Sequence, residues 1–256
     1  MRDEFCSVAE NFRIQEEYYL LKIHSEYVST RAMPGNFVML STSSTRETLL
    51  KRPFGIFQAQ PPYIWIYYQV VGKGTRLISE LKSGDKISVL GPLGNSFPQA
   101  SKQSILMIAG GRGIAPIHFA ITKYQEQNKI ILIYGARSKS DLNLLDMLKE
   151  LKLDSLFLYT EDGSIGKKGN VITDIGDIIK RNSIDMTFSC GPDEMFLEIF
   201  QLTRNLSTRD YASLEALMGC GFGICGSCVI QTNKSGYKKV CTDGPIFKMD
   251  EISWQI

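Results

Sequence analysis

The most constraining feature of this sequence is a group of four cysteines near its C-terminal end. Six cysteines occur among the 256 residues, and four of them lie between positions 220 and 241. A chain of this length can bury enough core to fold without disulfides, and its first residues lack the apolar segment of a signal peptide. We therefore expect a cytoplasmic protein whose thiols stay reduced. Clustered thiols in that compartment predict a metal centre.

The spacing of these cysteines favours an iron–sulfur cluster. The pattern is C-x4-C-x2-C-x12-C, formed by Cys220, Cys225, Cys228 and Cys241. The first three have the spacing of plant-type [2Fe–2S] ferredoxins, although the gap to the fourth is shorter than in those proteins. Intervening glycines at 219, 221, 223 and 226 allow backbone N–H groups to point at cluster sulfides without a Cβ clash. The alternative is a four-thiolate zinc site, which usually has two C-x2-C-like pairs where this chain has one.

The remainder of the chain divides into two regions of different pattern. Residues 1–100 contain many short strand-like segments separated by turns, which predicts an antiparallel β-barrel. In residues 101–206, apolar strand-like runs alternate with helical segments, which predicts an α/β domain with a parallel sheet. Residues 207–256 then form a small cluster domain. The predicted segments include a strand from Tyr18 to Tyr27, a strand that stops at Gly91-Pro92, and a helix from Lys139 to Leu151.

Composition excludes several classes of function. The formal net charge is +2, so binding to nucleic acid through bulk charge is not expected. Hydrophobic residues make up 43% and charged residues 22%, which is typical of folded globular proteins rather than disordered ones. No apolar run reaches the roughly 18 residues of a membrane-spanning helix. We expect neither a nucleic-acid partner nor a membrane.

A glycine-rich turn joins the first apolar strand of the α/β region to its first helix. The turn comprises Gly110, Gly111, Arg112 and Gly113, and Pro116 suits the first turn of the following helix. Glycines at this point let a phosphate approach the helix N-terminus, where free N–H groups favour an anion. The spacing differs from the Rossmann fingerprint. We predict a dinucleotide site of another kind, while a tight strand–helix turn without a ligand remains the alternative.

Together these features resemble the ferredoxin–NADP reductase superfamily, and more closely the electron-transfer subunits of NAD-dependent (class 1B) dihydroorotate dehydrogenases. The resemblance covers essentially the whole chain. It implies FAD, a [2Fe–2S] cluster and NAD as co-substrate. The four cysteines match the cluster motif of these subunits, which is the most specific of the signals.

The resemblance also implies a set of flavin-binding residues. Arg52, Pro53, Phe54 and Gly55 stand where the superfamily has Arg-Pro-x-Ser, whose arginine pairs with the FAD pyrophosphate. Gly55 replaces the usual serine, so that hydroxyl contact is lost. The other matching positions are Tyr67, Tyr68 and Gln69 on a strand beside the flavin, and Gly74 and Thr75 in a phosphate-binding turn. For the tyrosines, packing in the core is the alternative.

Further residues are matched to the nicotinamide nucleotide. The superfamily's nucleotide turn corresponds to Gly110, Gly111, Gly113 and Pro116, and its Cys-Gly-Pro motif to Cys190, Gly191 and Pro192. Arg137 and Lys139 follow the second strand of the predicted sheet, where the adenosine 2′ position would lie. They suit a 2′-phosphate or a solvated loop, and NAD is preferred because the resemblance implies it.

The implied function is an electron relay without an organic substrate of its own. Such a subunit carries electrons from the FMN of a dihydroorotate dehydrogenase catalytic subunit through the cluster and FAD to NAD, in pyrimidine biosynthesis. We expect a complex with two copies of each chain. Phe222 and Ile224 project from the cysteine loop, and the relay predicts that they lie in the subunit interface; packing on the chain's own barrel is the alternative.

Two other functions stay open. The small subunits of reduced-ferredoxin:NADP oxidoreductases and of sulfide dehydrogenases have the same architecture, although their cluster can use a ligand other than cysteine. A non-redox, zinc-bearing interaction module belongs to a different class. It would lack the visible absorption of a flavin and an iron–sulfur cluster.

Overall fold

The computed structural model describes residues 1–42, 49–233 and 236–254. Within these ranges the chain forms two seven-stranded sheets, a two-stranded hairpin and six helices. No helix in the described ranges combines the length and the apolar character needed to cross a membrane.

The first sheet is antiparallel and is built from the N-terminal part of the chain. Its strands are β1 (Arg2–Gln15), β2 (Tyr18–His24), β3 (Phe37–Thr42), β4 (Arg52–Gly55), β5 (Gln58–Gln60), β6 (Tyr63–Gln69) and β7 (Lys86–Leu93). They are ordered β4-β3-β7-β1-β2-β6-β5. Two short helices flank the sheet, α1 (Glu26–Ser29) and α2 (Lys73–Ser79).

This sheet curls into a half-barrel, which confirms the antiparallel barrel expected from the sequence. The two edge strands, β4 and β5, are separated in sequence by only Ile56 and Phe57. Such a short connection between opposite edges requires the sheet to bend around its core. The Ile56 N–H donates to the Asn36 carbonyl at 3.2 Å, and the Phe57 N–H donates to the Trp65 carbonyl at 2.9 Å. The flavin-motif residues therefore lie at the seam of the half-barrel.

Two strand boundaries differ from those predicted. The strand from Tyr18 ends at His24 rather than Tyr27, because Ser25 caps α1 by accepting a hydrogen bond from the Val28 N–H at 3.3 Å. Strand β7 continues through Gly91-Pro92 instead of stopping there. Phe37 pairs with Leu93 and Met39 with Leu90, so two residues of β7 lie opposite one residue of β3. The proline sits in this bulge, where no ladder hydrogen bond is needed from it.

The second sheet confirms the predicted parallel α/β arrangement. Its strands are β8 (Ser104–Gly110), β9 (Lys129–Ala136), β10 (Ser155–Thr160), β11 (Lys167–Lys168), β12 (Met186–Cys190), β13 (Arg209–Ser213) and, after the hairpin strands β14 (Val229–Gln231) and β15 (Tyr237–Lys239), β16 (Ile246–Lys248). The order is β11-β10-β9-β8-β12-β13-β16, and only β16 pairs antiparallel. Four helices accompany this sheet: α3 (Ile114–Tyr124), α4 (Leu145–Leu148), α5 (Ile175–Asn182) and α6 (Asp193–Thr203).

The helix predicted from Lys139 to Leu151 is wrong. The structure has a single 3-10 turn over Lys139–Asp141 and a short α4 after it. Leu142 and Leu144 are both buried, at 2% and 0% exposure, and two residues spaced by two do not share one helix face. Asn143 between them accepts a hydrogen bond from the Tyr67 hydroxyl at 2.7 Å, which holds the interruption against the half-barrel.

The cysteine-rich segment is attached to the second sheet by the strand that precedes it, β13, and by the strand that follows it, β16. β13 pairs in parallel with β12, and β16 pairs with β13, so two strands from beyond residue 206 complete the sheet. The boundaries proposed at residues 100 and 206 stay predictions. The expected hairpin is present as β14 and β15; positions 234 and 235 of its turn lie outside the described residues.

Candidate functional site

Two adjoining clefts open at the carboxyl ends of the parallel strands, the edge where open α/β sheets bind ligands. The first cleft, of about 650 Å³, is lined by the turn after β8 and by the residues that follow β9, β10 and β12. The second, of about 300 Å³, lies between this edge and the half-barrel. Three side chains border both clefts: Gln69, Arg112 and Glu215. Ligands in the two clefts would meet at these residues.

The second cleft brings together most of the residues assigned to the flavin. Its lining includes Arg52, Pro53, Phe54, Gly55, Tyr67, Tyr68, Gln69 and Thr75, together with Pro116 of α3 and Cys190 of β12. Gly74 does not line the cleft, but it permits the position of Arg52. A Cβ on Gly74 would collide with the Arg52 guanidinium, whose Cζ would be 2.8 Å away. The arginine and the phosphate-turn motif are therefore in direct contact.

Gly55 has room for the serine that the superfamily motif carries. A Cβ added there would lie 3.7 Å from Pro116 Cδ, which is an ordinary van der Waals contact. Steric crowding therefore does not explain the departure from Arg-Pro-x-Ser. The same distance shows that the flavin motif faces the helix α3 that follows the glycine-rich turn.

The two tyrosines of β6 are largely core residues. Tyr67 is 5% exposed, stacks on Tyr18 with 5.8 Å between ring centroids, and donates to Asn143. Tyr68 is 2% exposed and its hydroxyl donates to Asn11 Oδ1 at 3.2 Å. Burial raises the pKa of both phenols above their usual range. They can border a flavin ring by packing but are unsuited to giving up a proton.

Thr75 uses its hydroxyl on the backbone of its own turn. Its Oγ1 accepts hydrogen bonds from the Val71 N–H at 3.0 Å and the Gly72 N–H at 3.2 Å. These bonds close the first turn of α2 and fix the loop against which Arg52 lies. The assignment of Gly74 and Thr75 to a flavin phosphate stays a prediction.

The glycine-rich turn and the Cys-Gly-Pro motif pack directly on each other. A Cβ on Gly113 would collide with the carbonyl oxygen of Cys190, and a Cβ on Gly110 would lie 3.0 Å from Pro192 Cδ. Gly111 has a φ of +52° and open space on its Cβ side. Two motifs separated by almost 80 positions therefore form one wall of the first cleft.

The Cys190 thiol is enclosed. Its side chain is 1% exposed, and burial raises its pKa, with a smaller contribution from the nearby Glu215 carboxylate. A buried neutral thiol serves as a packing surface rather than as a nucleophile.

The four cysteines form two pairs. Cys228 and Cys241 are buried with their Sγ atoms 3.2 Å apart, and the Cys225 N–H donates to Cys220 Sγ at 3.5 Å. Across the described ranges, no three His, Cys, Asp or Glu side chains are gathered tightly enough to hold one metal ion. Two thiol pairs suit a cluster of two irons, each with two cysteine ligands.

The surroundings of the other pair, Cys220 and Cys225, lower the pKa of both thiols. The Ser227 hydroxyl lies 3.1 Å from Cys225 Sγ and accepts a hydrogen bond from the Gly219 N–H at 2.9 Å. Hydrogen bonds from Ser227 and from Cys220 lower the pKa of the Cys225 thiol to about 6. Burial and the adjacent Cys228 thiol raise the pKa of Cys241 to about 11. Because thiolates are the metal ligands, the Cys241 thiol would give up its proton as the metal binds.

The cysteine loop lies beside the second cleft. Met218, just before the first cysteine, lines that cleft. Gly221 has a φ of +82°, and a Cβ there would lie 2.6 Å from Met39 Cγ in the half-barrel. The loop thus approaches the half-barrel closely because position 221 has no side chain.

Comparison with known proteins decides the family. Residues 215–253, which contain all four cysteines, match the iron–sulfur cluster binding domain of dihydroorotate dehydrogenase B, and residues 107–199 match an oxidoreductase NAD-binding domain. The dihydroorotate dehydrogenase B electron transfer subunit of Fusobacterium nucleatum is 33% identical, over 98% of this chain and 99% of that protein. The subunit of Clostridium acetobutylicum is 35% identical, over 96% and 95%. This chain belongs to the dihydroorotate dehydrogenase B electron transfer subunit family.

Solved structures place this family member in the expected fold. A chain of an NADH-dependent reduced ferredoxin–NADP oxidoreductase has a TM-score of 0.86 and 31% identity, covering 97% of this chain and 90% of that one. A ferredoxin NADP+ reductase from Neisseria gonorrhoeae has a TM-score of 0.65 at 16% identity, covering 80% and 92%. The chain is thus an oxidoreductase subunit that uses FAD, a [2Fe–2S] cluster and NAD. Membership of the family favours this interpretation over a zinc-bearing interaction module.

Sequence analysis missed three charged residues of the clefts of this electron transfer subunit. Arg112 lies within the glycine-rich turn and donates to Gln69 Oε1 at 2.5 Å. Glu215 follows β13, a strand whose polar sequence gave no strand signal, and Asp141 lies in the segment wrongly predicted as helix. A search for charged residues just after each predicted parallel strand would have found Arg112, which follows β8.

Proposed function

We propose that this chain carries electrons from the FMN of a dihydroorotate-oxidising partner to NAD. The observation that supports it is the adjacency of three sites: the cysteine loop borders the second cleft, and the second cleft shares Gln69, Arg112 and Glu215 with the first. A cluster handles single electrons and nicotinamide accepts pairs, so a flavin between them supplies the conversion. The order of the sites along the molecule matches that requirement.

The half-barrel residues would hold FAD. Arg52 offers a guanidinium fork to the pyrophosphate, and Gly74 leaves the space in which that fork lies. Gly55, Pro116 and Cys190 provide small or apolar surfaces against which the isoalloxazine ring would pack. The four cysteines would hold the cluster.

The first cleft would align the nicotinamide nucleotide. Gly111 and Gly113 let the turn approach a phosphate, and Gly191-Pro192 extends the same wall of the cleft. Hydride transfer depends on alignment of the two rings more than on an acid or a base. The raised pKa values of Tyr67 and Cys190 agree with a site that aligns the two rings rather than one that donates or accepts protons.

The exposed face of the cysteine loop would receive the partner. Phe222 is 39% exposed, Ile224 80% and the nearby Leu217 87%. The high exposure of Ile224 supports an interface role for this side chain over packing on the chain's own half-barrel. Apolar side chains around a redox loop are typical of a surface that a partner covers.

The test is reconstitution with the FMN subunit of the same organism. We expect the two chains to co-purify, and the complex to reduce NAD with dihydroorotate as donor. The isolated chain should reduce artificial acceptors with NADH but leave dihydroorotate untouched. Dihydroorotate-dependent NAD reduction by this chain alone would contradict the relay. The molar mass of the complex tests the two-plus-two assembly, which rests on the family resemblance, as does a cytoplasmic location.

A second candidate is the small subunit of a ferredoxin-linked complex. The structure of the NADH-dependent reduced ferredoxin–NADP oxidoreductase supports it, because that chain is 31% identical to this one in sequence. Two dihydroorotate dehydrogenase B electron transfer subunits are hardly more similar, at 32% and 33% identity. Because this chain offers four cysteines as cluster ligands, the dihydroorotate dehydrogenase function is favoured over the ferredoxin-linked one. Failure to bind the FMN subunit, with binding to a ferredoxin-linked flavoprotein instead, would favour the second candidate.

Arg52 gives a direct test of the flavin site. Arg52→Ala should weaken FAD retention by about 10- to 100-fold, because a charge-assisted hydrogen bond contributes roughly 1.5–3 kcal/mol. Flavin fluorescence released during dilution or dialysis measures this change. Arg181→Ala, an exposed arginine on α5, is the matched control and should retain FAD. Unchanged FAD affinity in a folded Arg52→Ala variant would remove Arg52 from the site.

A further inference from the structure

A lysine side chain reaches the cysteine loop from the adjacent hairpin. Lys239 is the last residue of β15, and its Nζ donates a hydrogen bond to the Gly223 carbonyl at 2.6 Å. Gly223 lies between Cys220 and Cys225, two residues before the latter, so the Cα atoms of Gly223 and Cys225 are at most about 7.6 Å apart. Lys239 is neither a cysteine ligand nor a residue that lines the two clefts.

The backbone of Lys239 is fixed beside the buried thiol pair. The next residue, Val240, is fully buried, and its N–H donates to the Cys228 carbonyl at 2.9 Å. Cys241 follows directly in the sequence. The Lys239 N–H itself donates to Asp243 Oδ2 at 2.7 Å. The backbone of this lysine is therefore next to one pair of thiols, while its side chain contacts the loop that carries the other pair.

The Lys239 ammonium brings a positive charge that, among the described residues, no carboxylate cancels through an ion pair. The preceding residue differs: Lys238 Nζ lies 2.5 Å from Glu251 Oε2 and 5.7 Å from the centre of the Phe247 ring. Successive side chains of a strand point to opposite faces, so the two lysines point away from each other. Of these two neighbours, Lys239 is the one directed at the cysteine loop.

A positive charge at this position acts on an electron that enters the cluster. Reduction adds one negative charge, so a fixed positive charge nearby stabilises the reduced form more than the oxidised form. The ammonium also polarises the loop, because the Gly223 carbonyl shares its peptide bond with the Ile224 N–H. Net charge and hydrogen bonding around the sulfurs set the potential of iron–sulfur clusters.

We propose that Lys239 is a positioning residue for electron transfer: its ammonium anchors the cysteine loop through the Gly223 carbonyl and raises the reduction potential of the cluster. In the step that it favours, the FMN of the partner is oxidised by one electron and the cluster is reduced by one, with no bond made or broken and no proton passed to the cluster. The inference rests on the proposed function, because it takes the four cysteines as the cluster ligands. It adds a residue that is not a ligand and that increases the driving force of the first transfer.

The decisive variant is Lys239→Met, which keeps a long, unbranched side chain and removes the ammonium. A redox titration of the isolated, FAD-loaded chain measures the potential, with the electron paramagnetic resonance signal of the reduced cluster as the readout. We expect the equilibrium constant for reduction to fall about three- to tenfold, the size expected for one charge removed about 8–10 Å away in a partly solvated site. A tenfold fall corresponds to a potential lower by about 59 mV for one electron.

Two further variants separate the charge from the hydrogen bond. Lys239→Arg keeps both and should keep the potential of the unaltered chain. Lys239→Gln keeps a donor without the charge and should show the same fall as Lys239→Met; it also carries the test if the methionine variant does not retain iron. The rate of iron loss to a chelator should rise in Lys239→Met, where the loop loses its anchor, and stay unchanged in Lys239→Arg.

Lys238→Met is the matched control. It makes the same chemical change one residue away, in an ion pair whose side chains are 39% and 40% exposed, so solvent screens the altered charge. Its cluster potential should equal that of the unaltered chain. An unchanged potential in both Lys239→Met and Lys239→Gln, with iron retained, would overturn the inference, as would an equal fall in Lys238→Met. Failure of the proposed function is a different result: the unaltered chain would hold no iron and no sulfide.

Discussion

Replacing Cys225 by alanine is expected to remove the iron–sulfur cluster while leaving the fold and the flavin in place. The side chain is exposed, so its loss costs little packing. It is also the thiol whose pKa Ser227 lowers to about 6, and a thiolate ligand is required on each iron. Iron content should fall from about two atoms per chain to near zero. Electron transfer from the partner subunit should fall to background.

Metal analysis, visible absorption and NADH-dependent reduction of an artificial acceptor measure these effects separately. The last activity should persist, because it uses only the flavin and nucleotide clefts. Cys6→Ala is the matched control: Cys6 is a free cysteine in β1, 5% exposed and outside the cysteine loop, and its loss should leave iron and sulfide unchanged. Wild-type iron and sulfide in the Cys225→Ala protein would show that Cys225 is not a ligand.

Gly113→Ala is expected to have the second large effect. An added Cβ would collide with the Cys190 carbonyl oxygen and lie 2.9 Å from the Gly191 nitrogen. Both are backbone atoms, so the glycine-rich turn and the Cys-Gly-Pro motif must separate. Overpacking of this kind costs about 1–3 kcal/mol in the free energy of unfolding. A displacement near 1 Å at the hydride-transfer site costs about 100-fold in rate.

We therefore expect kcat/KM for NADH to fall about 100-fold in Gly113→Ala, with FAD still bound. Steady-state kinetics and a urea unfolding curve measure the two consequences. Gly176→Ala is the control, because Gly176 lies in α5 with no atom within 4 Å of an added Cβ. If Gly113→Ala turned over NADH at the wild-type rate, the contact between the turn and Cys190 would have no part in aligning the nucleotide.

Local patterns were sufficient where a single segment carries the chemistry. The strand–turn–helix context of Gly110 to Pro116 and the spacing of the four cysteines depend on positions close in sequence, and the structure places both at the edge of a cleft. The helix predicted from Lys139 failed for a related reason: Leu142 and Leu144 are buried in a core cluster that joins the half-barrel and the second sheet, and this tertiary packing overrides local helix propensity. The hydrophobic pattern of a segment does not show which other part of the fold packs against it.

The sequence by itself determined the family, the half-barrel and parallel-sheet architecture, and the residue types that hold a cluster. The architecture and the cluster ligands follow from periodicity, turn residues and ligand spacing along the chain, and the family follows from the resemblance to known proteins. Only the tertiary structure decided that Arg52 lies across Gly74, that Gly113 meets Cys190, and that Asp141 pairs with Arg137 beside Tyr18. Apart from that ion pair, such contacts join residues 20 to more than 100 positions apart, and they exist only because parallel strands and a curled sheet bring distant strand ends to one edge.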